Sequence, residues 1–394
     1  MHDHILKLRR PLPGLPGSAA LRERLTAWLL EHPKSCLAVI TPLALTGYLL
    51  LLLFPASGVI LLGQFIGDWS LQNSLQLPPE RLLQLLAGLA ALLFSLPLWR
   101  LQLPRPGGQA LAREEMPELD KTLSALCQHY HTAPVDSVII DERMDMRLLN
   151  QSKLAWPFAG PRTLVIGLPL LLCCSPGQFH ALLARCIGRY SKRESFLLLW
   201  IACLEQTWRD YARALSRSGV LGPPLAGLFR LYNRLLRPFT GLARHWHELA
   251  ADRSALELVN DQDMAELFSW DVVLPHFLQT KYWPKVRQLA RRETAGRYPP
   301  WASMRKVVRN GLQQEHVRHA IQNAFRQAAP GLRQPSLQAR LHNIGHEKPR
   351  PPRRPREDAG RHYLSASALE NIIAARDQAW QQGQDAYLQR SLAV

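Results

Sequence analysis

The sequence predicts a mostly helical α+β protein, with an N-terminal transmembrane helical hairpin followed by one large soluble domain. Three observations predict it. Two apolar stretches near the N-terminus, Ser35–Gly67 and Leu82–Trp99, carry no charged residue. Two short β-rich runs, Val135–Asp141 and Arg162–Gly167, follow them. The other apolar segments repeat at helical spacing and are punctuated by proline, glycine and capping residues.

Residues 1–34 form a basic arm carrying Lys7, Arg9, Arg10, Arg22, Arg24 and Lys34. The length of this arm, with Pro11, Pro13 and Pro16, argues against a cleaved signal peptide. Residues 35–103 hold the hairpin. Its first stretch is long enough to cross a bilayer, with Pro55 and Gly58 as kink or exit points. The second is just long enough, and Arg81 and Trp99-Arg100 bracket it as interface anchors. Basic residues crowd the arm and the segment after the second span (Arg100, Arg105, Arg113), whereas the loop near 68–80 is nearly free of them. The positive-inside rule then puts both termini in the cytoplasm.

Pro104–Gly108 reads as a linker into a domain over 104–345. Helices are expected over Met116–His131, Leu168–Leu172 and Ser175–Arg193, the last capped by Ser175 with Pro176 at its first position. Phe196–Leu204 is apolar but too short to span, and reads as core. Gly222-Pro-Pro224 reads as a turn. Leu225–Leu236, interspersed with Arg230, Arg234 and Arg237, fits a surface helix and a membrane-lying one equally. Thr240–Val259, 262–290 and 302–328 read as helices. Residues 346–362 form a linker containing the Arg/Pro run 348–356, which is either solvated or held against an anionic leaflet. Residues 363–394 form a C-terminal helix.

The formal net charge is +17, and the basic residues flank the apolar segments. That distribution favours a membrane surface over nucleic acid as the partner. The six cysteines have no framework spacing, as expected of a reducing compartment. There is no Gly-x-Ser-x-Gly elbow and no glycine-rich phosphate loop.

Four segments, in order, resemble the membrane-bound zinc metallopeptidases of the HtpX and CAAX-prenyl-protease type. Met116-Pro-Glu-Leu-Asp120 is similar to the family's opening Pro-Glu-Leu. Arg162–Leu172 is similar to its edge strand and following Gly-Leu helix. Phe179–Arg193 resembles its metal helix, and Glu248-Leu-Ala-Ala-Asp252 its Glu-x-x-Ala-Asp. Gln334-Pro-Ser-Leu-Gln-Ala-Arg-Leu341 is a weaker match to a His-Pro-x-x-x-x-Arg-Leu signature, with Gln334 in place of His. The resemblance implies a zincin-like metallopeptidase domain over 104–345, a bacterial inner membrane, and Glu248 at the third zinc-ligand position with Asp252 beside it.

An active member has His-Glu-x-x-His on its metal helix, two ligands one turn apart with a general base beside the first. This chain has Arg185, Cys186 and Arg189 there. Guanidinium groups cannot donate a lone pair to a metal, and a thiol is a poor substitute for a proton-shuttling carboxylate. The leading expectation is therefore a pseudopeptidase with no catalytic residue, no bound metal and no cofactor, acting as a protein-binding or regulatory module. Its partners would be the lipid bilayer and membrane or membrane-proximal proteins, including extended peptide segments added beside the strand at Arg162–Gly167. Arg185 and Arg189 share one helix face, as do Glu248 and Asp252, and the four are expected to meet as an ion-pair cluster.

Three alternatives stand beside it. One is an active metalloendopeptidase with non-standard zinc ligands. Another is a relocated metal site built from His245, Glu248 and Asp252 with Cys186. The last is an unrelated basic membrane-anchored protein binding lipid surfaces or nucleic acid. His129, His131, His316 and His319 are read as solvated.

Overall fold

A computed structural model describes residues 33–72, 79–99, 107–150, 160–191, 196–290, 298–312, 314–326, 335–353 and 357–392. The basic arm up to residue 32, the loop centre 73–78, Arg100, Arg105, Gln334 and 354–356 lie outside the described residues.

The chain is mostly helical, with one small mixed sheet. Helix α1 (Pro33–Gln72) and helix α2 (Pro79–Trp99) form the N-terminal hairpin. Pro79–Leu98 is long and apolar enough to cross a membrane, about 30 Å at helical rise. Ile40–Leu49 and Leu51–Gly67 pass the same test only as a pair, bent by 45° at the break between them. The bend precedes Pro55, whose ring meets the carbonyl one turn back. Small residues let the hairpin close: a Cβ on Gly58 would lie 2.7 Å from Leu92, and one on Gly88 3.0 Å from Leu62. Leu52, Leu53, Ile60, Leu83, Leu86 and Leu93 face outward.

Strand β1 (Gln109–Leu111) leads into helix α3 (Pro117–His129), then β2 (Ser137–Asp141), β3 (Met146–Asn150) and β4 (Arg162–Gly167). The strand order is β1-β2-β4-β3. β4 pairs in parallel with β2 and antiparallel with β3, so it is an interior strand, and all six of its residues are buried. This corrects the expectation of an edge strand at Arg162–Gly167. The edge beside it is β3.

Short helix α4 (Leu168–Cys173) precedes helix α5 (Pro176–Gly188). Ser175 caps α5 as expected, in a reciprocal capping box with Gln178. Helix α6 (Phe196–Leu215) and the 34-residue helix α7 (Gly222–Ala255) pair as a second hairpin. The expected turn at Gly222-Pro-Pro224 is instead the first turn of α7, where proline costs nothing because its missing N–H had no helical partner. The two segments read separately, Leu225–Leu236 and Thr240–Val259, join in this one helix, which ends at Ala255.

Helix α8 (Asp261–Phe277) runs through a π-helical turn at Leu278–Tyr282 into helix α9 (Trp283–Ala290). Helices α10 (Pro300–Gly311), α11 (Gln314–Arg326) and α12 (Leu337–Asn343) follow. Within the expected linker, Asp358 caps a short helix, α13 (Ala359–Tyr363). Helix α14 (Ala366–Leu392) buries Ala368, Leu369 and Ile372, and its Asp377 accepts from the amides of Trp301 and Ala302 at the start of α10.

Two apolar clusters result. The larger joins the sheet, α3, α4, α5, α8 and the C-terminal helices. The smaller lies between α1, α6 and α7, around Trp208.

Candidate functional site

The site lies where α5 crosses the C-terminal part of α7. The two helices approach closely because Gly188 faces Ser254; a Cβ there would sit 3.2 Å from the serine Cβ. Tyr130 clamps the crossing by donating to the Ser254 carbonyl at 2.9 Å.

Arg185 projects from α5 and Arg189 from the residue that ends it, one turn later. Both donate through Nη2 to the same carboxylate oxygen, Glu248 Oε2. Arg185 Nε lies 2.7 Å from Asp252 Oδ1, a charge contact without the alignment of a hydrogen bond. The structure thus brings together Arg185, Arg189, Glu248 and Asp252.

It adds two residues that sequence reasoning did not place there. Arg340, on α12, grips Asp252 with Nε to Oδ2 at 2.9 Å and Nη2 to Oδ1 at 3.0 Å. Its Nη1 reaches Asp271 of α8 at 3.3 Å, and its guanidinium lies 3.8 Å from the Phe268 ring centroid. The assembly is three arginines against three carboxylates, with Asp252 fully buried.

The electrostatics follow from that balance. Burial raises the Glu248 pKa, but Arg189 and Arg185 outweigh it and hold the carboxyl at about 2. Burial opposes the Arg185 charge, yet Asp252, Glu248 and Asp271 outweigh it and hold the guanidinium above its usual range. Glu248 and Arg185 are therefore both charged at neutral pH.

Cys186 is buried, and burial lifts its thiol to about 11 despite the arginines beside it. A protonated thiol is neither a nucleophile nor a metal ligand. His247 is buried and donates from Nε2 to the Arg189 carbonyl at 2.9 Å, fixing the turn after α5. His245 is buried too, and desolvation lowers its pKa to about 4. Among the described residues, no group of three or more His, Cys, Asp or Glu side chains is placed to hold a metal ion. The relocated site of His245, Cys186, Glu248 and Asp252 is therefore not assembled. His129, expected to be solvated, is partly exposed and lies 3.1 Å from Glu257 in a surface pair.

Beside the cluster lies a cavity of about 550 Å³, bounded by β3, α5, α6 and α7. Arg147, Leu148, Cys186, Arg189, Arg244 and Glu248 are among its walls. The outward backbone groups of Leu148 are engaged by α5 and the turn after it: its N–H meets the Cys186 sulfur, and its carbonyl accepts from Tyr190 Oη at 2.8 Å.

No family model, curated protein or solved structure matches the chain.

Proposed function

We propose that this chain is a membrane-anchored, zincin-like pseudopeptidase, in which an arginine–carboxylate cluster stands where a relative would hold zinc. In this reading α1 and α2 both span the bilayer, the termini are cytoplasmic, and the domain over 104–345 binds other membrane or membrane-proximal proteins. The observation that carries it is that Arg185 and Arg189 converge on one oxygen of Glu248. In the family the chain resembles, those three positions converge on the metal. Here the cations are supplied by the protein itself, and nothing is left to polarise water.

The cavity along β3 supports a role in holding extended peptide. Its walls are mixed in charge, and β3 is the sheet edge that faces it. Because Tyr190 and Cys186 already engage Leu148, a bound segment would pair with β3 only beside that residue, leaving side-chain contacts to dominate.

Metal analysis of the purified protein tests the proposal. Wild type should contain no stoichiometric zinc. The triple variant Arg185→His, Cys186→Glu, Arg189→His should acquire about one zinc per chain if the scaffold is that of a zincin. Casein hydrolysis by wild type that a chelator abolishes would refute the proposal.

A further inference from the structure

The α6–α7 hairpin carries a second charge cluster unlike the first. Between these helices lies a groove of about 410 Å³, walled by Arg209, Arg213, Arg230, Arg234, Arg237 and Asn233. The one carboxylate lining it is Glu205, which is shared with Arg209 and Arg244 at 3.5 Å each. Arg213 is paired with Asp210 at 3.0 Å. Arg234 and Arg237 have no carboxylate partner among the described residues. On the groove wall, both amide atoms of Asn233 are buried without a hydrogen-bond partner among the described residues. A buried amide left unpaired is costly and points to a polar occupant.

The opposite flank of the same helix is apolar. Leu228, Leu231 and Leu235 are exposed at 39%, 57% and 57%. Leu228 and Leu235 lie four and three positions from Tyr232, so they share its side of the helix. Tyr232 is the residue that reaches α1, donating to the Leu43 carbonyl at 2.8 Å. The leucine stripe therefore borders the hairpin, whose α1 also exposes Leu45 and Leu49.

The level of the groove follows from the packing. Leu98, where the spanning segment Pro79–Leu98 ends, is buried in the apolar cluster of α6 and α7. The second hairpin thus sits where the hydrocarbon core gives way to headgroups. A helix with leucines on one flank and arginines on the other suits that boundary.

We propose that the α6–α7 groove binds the headgroup of an anionic phospholipid, with Leu228, Leu231 and Leu235 lying against its acyl chains. The phosphate is held by Arg230, Arg234 and Arg237, and Asn233 bonds a headgroup oxygen. The site binds lipid without chemical change. It goes beyond the pseudopeptidase reading and shares with it only the embedded hairpin.

The test uses full-length protein in mild detergent, titrated with short-chain phosphatidylglycerol, phosphatidylcholine of the same chains, and inorganic phosphate. Phosphatidylglycerol should bind saturably and at least about ten-fold more tightly than phosphatidylcholine. Arg230→Gln/Arg234→Gln/Arg237→Gln should abolish that preference with the unfolding midpoint unchanged. If that variant does not fold, Asn233→Asp, which places a negative charge in the groove, should lower phosphatidylglycerol affinity alone. Equal binding of the two lipids, an unaltered preference in the variants, or inorganic phosphate binding as tightly as phosphatidylglycerol would each overturn the proposal. Insertion is scored separately, by retention of the chain in vesicles after an alkaline wash. A chain that washes off defeats the embedded-hairpin reading, whereas a retained chain without lipid preference defeats only the headgroup site.

Discussion

Helix α7 carries charge in opposite ways at its two ends. Near its C-terminus, Glu248 and Asp252 are closed in by arginines from α5 and α12, and the charges balance. In its N-terminal half, Arg230, Arg234 and Arg237 face an open groove in which cations outnumber carboxylates. A balanced, buried cluster has its partners built in and serves to hold helices together. An unbalanced, open one leaves its cations free to meet an anion from outside the chain. The contrast separates structural charge from ligand-facing charge within a single helix, and each half can be tested against the other.

The largest effect should come from Asp252. It is fully buried and accepts both prongs of Arg340 while facing Arg185. Asp252→Ala leaves two buried guanidinium groups without their main counter-charge, at a cost of about 3–5 kcal/mol. Thermal or denaturant unfolding in detergent measures it. A loss under about 1 kcal/mol would mean the cluster is solvated and is not what joins the helices.

Next is the dependence on pH, which has two windows of different origin. Glu248 titrates at about 2 when folded, against an ordinary 4.5. The unfolded chain therefore binds the extra proton between those values. The contribution of Glu248 is complete above about pH 4.5 and is lost as pH falls towards 2. His245 is also depressed, to about 4 from 6.5. Its folded form resists protonation, so stability falls as pH drops from 6.5 towards 4. Glu248→Gln should flatten the lower window and leave the upper one, and His245→Gln the reverse. Unfolding midpoints across pH 2–8 would show two separable steps. A single step abolished by either substitution would mean that the two groups titrate as one unit.

Arg340→Lys should follow, at about 2 kcal/mol. Lysine keeps the charge but cannot grip both oxygens of Asp252 or stack on Phe268. Arg340→Lys and Phe268→Leu together in a double-mutant cycle would isolate the stacking part.

How much of this was legible before folding depends on the range of the signal. Arg185 with Arg189, and Glu248 with Asp252, are each one turn apart, and helical spacing alone puts each pair on one face. Their meeting needed the resemblance as a guide to which helices cross. Arg340 and Asp271 were not legible as members, because they come from α12 and α8, 88 residues from Asp252 and 69 from Arg340 respectively. No local pattern spells a contact at that separation. The mostly helical class and the hairpin helices were readable from long uncharged or periodic runs. Strand β3 was not, since Met-Arg-Leu-Leu-Asn has no β-branched residue and no alternation. The reading of β4 as an edge came from the resemblance alone, and it is β3 that takes that place. Gly222-Pro-Pro224 misled because proline opens helices as readily as it ends them. The C-terminal helix was legible but its docking was not, because it rests on a few apolar residues in a polar helix, tied down by Asp377 at the start of α10.

The smallest predicted effect sharpens the comparison most. Arg230→Gln/Arg234→Gln/Arg237→Gln removes as many cations as the buried cluster contains, from the same helix that supplies Glu248 and Asp252. All three side chains are exposed, and among the described residues Arg234 and Arg237 have no carboxylate to leave stranded. The stability of the lipid-free protein should therefore change by less than about 0.5 kcal/mol. Unfolding measured in a neutral detergent reads this directly. A loss comparable with that of Asp252→Ala would show that the groove is held by partners within the chain, and the division of α7 into a locked end and a receptive end would have to be abandoned.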